Sequence, residues 1–175
     1  KRLGREGSIA TLLNNIGMVY NSWGQYDKAL KNYKEALAID RRLGQEGSVA
    51  RDLNNIGGVY NDWGQYDRAI KYYGEALAID RRLGQEAGVA SDLNNIGEVY
   101  RFRGQYDKAI KYYEEALAIL KKLGQEADVA ICLSNIGEPY YLQGKYKTAI
   151  KYFTESVEKK EKLRKTATGD IRRDY

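Results

Sequence analysis

The chain of 175 residues carries 29 Lys/Arg against 24 Asp/Glu, a formal charge of +5, and seven basic and four acidic residues of that balance lie in 158–175. The remaining body is near neutral, too weakly basic to announce a nucleic-acid binder, and no apolar run approaches the roughly 20 residues that span a bilayer. With no histidine there is no Ser-His or Cys-His pair and no imidazole metal ligand, so neither catalysis, a metal site nor a cofactor is expected.

Lys1-Arg-Leu-Gly4 matches Arg41-Arg-Leu-Gly44, so residues 1–4 read as the tail of a preceding repeat. A 40-residue unit then recurs four times, at 5–44, 45–84, 85–124 and 125–163. Leu13-Asn-Asn-Ile-Gly17 returns at 53–57, at 93–97 and, as Leu133-Ser-Asn-Ile-Gly137, in the last unit. Gly24-Gln-Tyr-Asp-Lys-Ala29 returns from Gly64, Gly104 and Gly144. Self-similarity at this period signals a solenoid, in which each unit buries its apolar face only against its neighbours.

The second unit shows the pattern within a unit. Val49, Ala50, Leu53, Ile56, Gly57 and Tyr60 recur at three- and four-residue spacing, which predicts an amphipathic helix A over about Glu46 to Asp62. Gly64 suits the left-handed residue that ends a helix. Tyr66, Ala69, Ile70, Tyr73, Ala76, Leu77 and Ile79 form the stripe of helix B, expected from about Tyr66 to Leu83 and stopped by Gly84. Loops this short make neighbouring helices antiparallel. Gly17, Gly57, Gly97 and Gly137 on helix A, with Ala29, Ala69, Ala109 and Ala149 on helix B, mark where backbones must approach. On helix B, Asp27/Lys31, Asp67/Lys71 and Asp107/Lys111 are spaced as i,i+4 ion pairs on a solvated face. The sixteen tyrosines fall mostly at repeated core positions (Tyr20, Tyr26, Tyr33 and their copies), not on a base-stacking platform.

The fourth unit departs twice. Lone Cys132 has no intrachain partner, which reads as a buried structural thiol and favours a reducing, cytoplasmic location. Pro139 stands where the other copies have Val19, Val59 and Val99, and predicts a kink or bulge near 135–139. Beyond it Arg164 replaces the stop glycine, so the last helix is free to run on into the charged tail, 164–175.

The pattern Leu-x-x-Ile-Gly-x-x-Tyr, then Gly-x-Tyr-x-x-Ala, then an aromatic and Ala-Leu, resembles the tetratricopeptide repeat over residues 5–163. The usual unit of that family is shorter and closes with proline, where this chain has Arg41, Arg81 and Lys121. The long unit is similar to the repeats of kinesin light chain and of the spindle-orientation adaptors. The resemblance implies an all-α, right-handed superhelical solenoid of four antiparallel helix pairs, with helix A lining a concave groove that receives a peptide.

Aligning the units on each other separates what the scaffold needs from what it leaves free. Thr11/Arg51/Ser91/Ile131, Met18/Gly58/Glu98/Glu138, Asn21/Asn61/Arg101/Tyr141 and Ser22/Asp62/Phe102/Leu142 vary on one face of helix A over a constant core. Drift on any exposed face would also produce this. Beside them run Asn14, Asn54, Asn94 and Ser134, each followed by Asn15, Asn55, Asn95 or Asn135. An amide offers a donor and an acceptor to a peptide backbone, or ties one repeat to the next. Arg51, Glu98, Arg101, Phe102, Glu138, Tyr141 and Leu142 are the candidate side-chain anchors, with Arg101 able to pair with Glu98. The expectation is a protein interaction scaffold whose partner peptide sets a basic residue near Glu98/Glu138 and an apolar one near Phe102/Leu142, with no nucleic-acid or membrane partner. The alternative is a designed or recently duplicated array that self-associates end to end and has no dedicated ligand.

Overall fold

A computed structural model describes the backbone of residues 2–171 and the side chains of 6–166. It consists of α1 (Arg2–Ser22), α2 (Tyr26–Arg42), α3 (Glu46–Asp62), α4 (Tyr66–Leu83), α5 (Glu86–Phe102), α6 (Tyr106–Lys122), α7 (Glu126–Leu142) and α8 (Tyr146–Ile171). There is no strand among the described residues. Odd-numbered helices are helix A of each unit, even-numbered ones helix B, and the bounds of α3 and α4 are those read from the periodicity. No helix among the described residues is long and apolar enough to cross a membrane.

Each junction within a unit is set by one backbone conformation. Gly64 adopts φ +73°, its N–H donates to the carbonyl of Asn61 at 2.9 Å, and the next N–H, from Gln65, reaches back to Tyr60 at 2.7 Å. This closes the helix end on a left-handed residue and turns the chain within three residues. Val49, Leu53, Ile56, Val59 and Tyr60 of α3 are buried between α2 and α4, and the core runs on through the equivalent positions as one continuous cluster.

The glycine of helix A is explained by the ring that lies on it. A Cβ on Gly57 would sit 2.7 Å from Tyr73 Cδ1, and on Gly97 2.8 Å from Tyr113, closer than real Cβ atoms come. In the last unit Phe153 takes the same place over Gly137. The tyrosines do belong to the interior: Tyr33, Tyr73 and Tyr113 are buried, while Tyr60 and Tyr72 stack at 5.4 Å and Tyr100 and Tyr112 at 5.3 Å.

Two local expectations need correction. Of the kink or bulge expected near 135–139, the bulge is absent: α7 runs as continuous α-helix through Pro139. Pro139 is buried at the position of the valines and has no N–H to give the Asn135 carbonyl. The i,i+4 pairs on helix B do not form either. Asp67 instead pairs with Arg103 at 2.6 Å and Asp107 accepts from Gln143 at 2.8 Å, both in the next unit. These aspartates sit in the first turn of α4 and α6, beside the loop of the following unit, so the cross-unit partner is nearer than the one a turn ahead. As anticipated, α8 continues past Arg164, to Ile171, and residues 172–175 of the tail lie outside the described residues.

Candidate functional site

Backbones of successive A helices touch (α1 with α3, α3 with α5, α5 with α7), whereas those of successive B helices do not. The A helices are therefore the tighter, inner wall. Thr11, Arg51, Ser91 and Ile131 are exposed on it. A pocket opens at each of the three unit junctions. Between units 1 and 2 it holds about 210 Å³ and is lined by Asn14, Asn15, Met18, Arg51 and Asn55. The next, about 310 Å³, is lined by Arg51, Asn54, Asn55, Asp80, Ser91 and Asp92. The third, about 300 Å³, is lined by Ala90, Asn94, Leu120, Ile131 and Cys132.

The asparagines are committed in large part to one another. Asn14 is buried and donates to Asp52 at 2.6 Å, and Asn54 donates likewise to Asp92. Asn95 donates to the side-chain Oδ1 of Asn54 at 3.0 Å, and Asn135 to that of Asn94 at 2.9 Å. These bonds tie unit to unit, the plainer of the two roles read from the sequence. Asn15 and Asn55, exposed and half-buried, make no side-chain hydrogen bond among the described residues.

Sequence reasoning passed over four buried acids. Asp40 and Asp52 meet between units 1 and 2, and Asp80 and Asp92 between units 2 and 3, all with 6% exposure or less. Burial pushes Asp92 up to about 7 against the opposing pull of the Asn54 bond, with Asp80 raising it further. Asp52 is pushed up to about 6, again by burial first. A signal existed. Asp52 and Asp92 stand where unit 1 has Leu12 and unit 4 has Cys132, and Asp40 and Asp80 where unit 3 has Leu120, each a charge interrupting an apolar stripe.

Of the anchors, Glu98, Arg101 and Glu138 do come together. Arg101 lies 3.0 Å from Glu138 and 3.6 Å from Glu98, and its guanidinium stacks 4.2 Å over the Phe102 ring. Phe102 in turn stacks on Tyr66 at 6.2 Å. The chain's own arginine thus offsets one of the two negative charges expected to meet a partner's basic residue. Tyr141 and Leu142 are exposed at the end of α7, one turn beyond Glu138, with Tyr141 tilted against Tyr146 at 5.8 Å. Cys132 is buried, donates to the Tyr113 carbonyl at 3.2 Å and is pushed up to about 12 by burial, an unreactive thiol.

The architecture has close counterparts. BtubC (BKLC) from P. vanneervenii is 31% identical with a TM-score of 0.78 over 89% of this chain and 64% of its own. Aspartyl phosphate phosphatase F from Bacillus subtilis is 19% identical, TM-score 0.84, over 93% and 42%. A Rap protein complexed with Competence and Sporulation Factor is 19% identical, TM-score 0.79, over 91% and 43%. The chain thus spans less than two thirds of each, and the last two likenesses are of fold alone. No curated protein sequence matches. The profile of the tetratricopeptide repeat matches residues 8–82 and 89–162, and the chain belongs to the tetratricopeptide repeat family.

Proposed function

We propose that this chain is a protein interaction scaffold that holds an extended segment of a partner along the wall formed by α1, α3, α5 and α7. The observation that carries the reading is the row of three pockets at successive junctions, each with a different lining, on the inner side of an open array. Constant amides beside changing pockets suit a ligand gripped by its backbone and read by its side chains. The Rap protein solved with Competence and Sporulation Factor supports this at the level of fold only. The reading assigns recognition and no reaction.

Asn15 and Asn55 are the residues whose loss should be felt without disturbing the fold. Each pair of backbone hydrogen bonds is worth about 1–3 kcal/mol, so Asn15→Ala with Asn55→Ala should weaken a peptide selected from a random display library about tenfold or more. Hydrogen exchange should show the bound peptide protecting α3 and α5. Protection confined to α4 and α6, or no selectable peptide, would overturn the reading.

A specific observation also supports self-association. Leu12, Ile16 and Val19 of α1 and Tyr146, Ile150 and Val157 of α8 are exposed. Apart from Leu12, their copies inside the array are mostly buried at unit junctions. We propose as a second reading that the α8 face of one copy seats on the α1 face of another.

A further inference from the structure

The three unit junctions differ at the same three positions, although at the first of them only Arg51 lines the pocket itself. Between units 1 and 2 these are Asp40, Asp52 and Arg51, and the arginine lies 3.9 Å from Asp40. Between units 3 and 4 they are Leu120, Cys132 and Ile131, apolar throughout. Where both acids are present the first junction has a cation beside them, and where both are absent the third has none. The middle junction breaks this match, keeping Asp80 and Asp92 with Ser91 in the arginine's place.

Those two carboxylates are incompletely met. Asp80 is 6% exposed and Asp92 1%, yet both line the pocket. Oδ1 of Asp80 and Oδ2 of Asp92 are buried without a hydrogen-bond partner, while the other oxygen of Asp92 takes the Asn54 amide. Both oxygens of Asp40 and Oδ2 of Asp52 also lack one, so what sets the first junction apart is the Arg51 charge 3.9 Å from Asp40. Arg51 reaches the rim of the same pocket but makes its ion pair with Asp40. Gly88 lies against the Asp80 carboxylate, where any Cβ would collide with it, so the unit with Ser91 in the arginine's place also leaves room for the acid. Buried carboxylates are stable when protonated or when paired with a cation, and the burial that raises Asp92 favours the first while the pocket is empty. The donors on hand are too few for a calcium ion, which takes six to eight oxygens. An ammonium or guanidinium group brings its own hydrogen-bond donors and needs only acceptors.

We propose that the pocket between units 2 and 3 is a socket for one Lys or Arg side chain of the segment lying along the A helices, gripped by Asp80 and Asp92. This rests on the peptide-binding reading above and adds a basic anchor site to the one at Glu98 and Glu138, whose charge Arg101 offsets in part. Ser91 at the rim is the position that decides whether the socket is open: an arginine there would fill it from within, as Arg51 serves Asp40.

The probe is a random decapeptide display library selected against the full chain, followed by synthetic versions of a selected peptide. Selected peptides should carry a Lys or Arg at one fixed position, and replacing it with norleucine should weaken binding about tenfold or more. With Asp80→Asn/Asp92→Asn, which preserves shape, that difference should vanish while the norleucine peptide binds as before. Ser91→Arg, on an exposed position, should abolish the basic preference and raise the urea midpoint. Peptides that bind without a basic preference, or whose preference survives both variants, overturn the socket and leave the scaffold reading standing. Failure to select any peptide overturns both.

Discussion

Tyr73 lies flat on Gly57, and that contact yields a paired test. Gly57→Ala gains helix propensity but drives a methyl into the ring, so it should destabilise by about 1–3 kcal/mol. Gly74 on α4 has open space where its side chain would be, and Gly74→Ala should stabilise by up to about 1 kcal/mol. Urea midpoints of the two variants should move in opposite directions. Asp92 makes a second test. Its carboxyl, facing Asp80 from α4 and Asn54 and Arg51 from α3, sits at about 7 when folded against roughly 3.9 when unfolded. Between those values the folded chain holds the proton more tightly, so this group's stabilisation declines as pH rises from about 4 to about 7 and stays flat above. Asp92→Asn should flatten that part of the profile, measured as the difference in urea midpoint from the parent across the window. An unchanged slope would show that Asp92 titrates normally.

α7 and α8 illustrate how packing overrides local preference. Proline removes one backbone bond from α7, yet the helix continues through it with Pro139 buried. The lost bond should be recoverable: Pro139→Val restores the donor to the Asn135 carbonyl in a site shaped for valine. The expected gain is about 1–3 kcal/mol, read from thermal melting. A lower melting temperature would mean that the ring fills space valine leaves empty. In α8, Ser156 stands where the other units have alanine and satisfies its buried hydroxyl on the Ala130 carbonyl at 2.6 Å. A small polar residue is tolerated there because its partner lies one helix away.

For the array as a unit, stability depends on faces shared between neighbours, so its two ends behave differently from its middle. Ile16 is 45% exposed and Val19 60%, while Ile56 and Val59, one unit on, are fully buried. If a second copy covers α1, sedimentation should shift to larger species with concentration, and Ile16→Glu/Val19→Glu should abolish that shift with little change in melting. A parent that stays monomeric at high concentration would dismiss the second reading. Peptide binding, which uses the inner wall instead, should survive the same variant.

Four units, eight helices and their turns were legible in the primary structure because each depends on contacts between residues a few positions apart. Leu53, Ile56 and Tyr60 declare a face, Gly64 an end, and Gly57 a close approach, and repetition made each statement four times over. The polar chemistry of the inner wall was legible only in part. Asn14 meets Asp52 across 38 positions and Arg101 meets Glu138 across 37, distances set by how one unit is offset on the next. No local periodicity encodes that offset. Folding alone decided that most of the asparagines bind each other, that Arg101 pairs with both Glu98 and Glu138, and that Asp80 and Asp92 line a pocket whose one arginine, Arg51, is paired with Asp40.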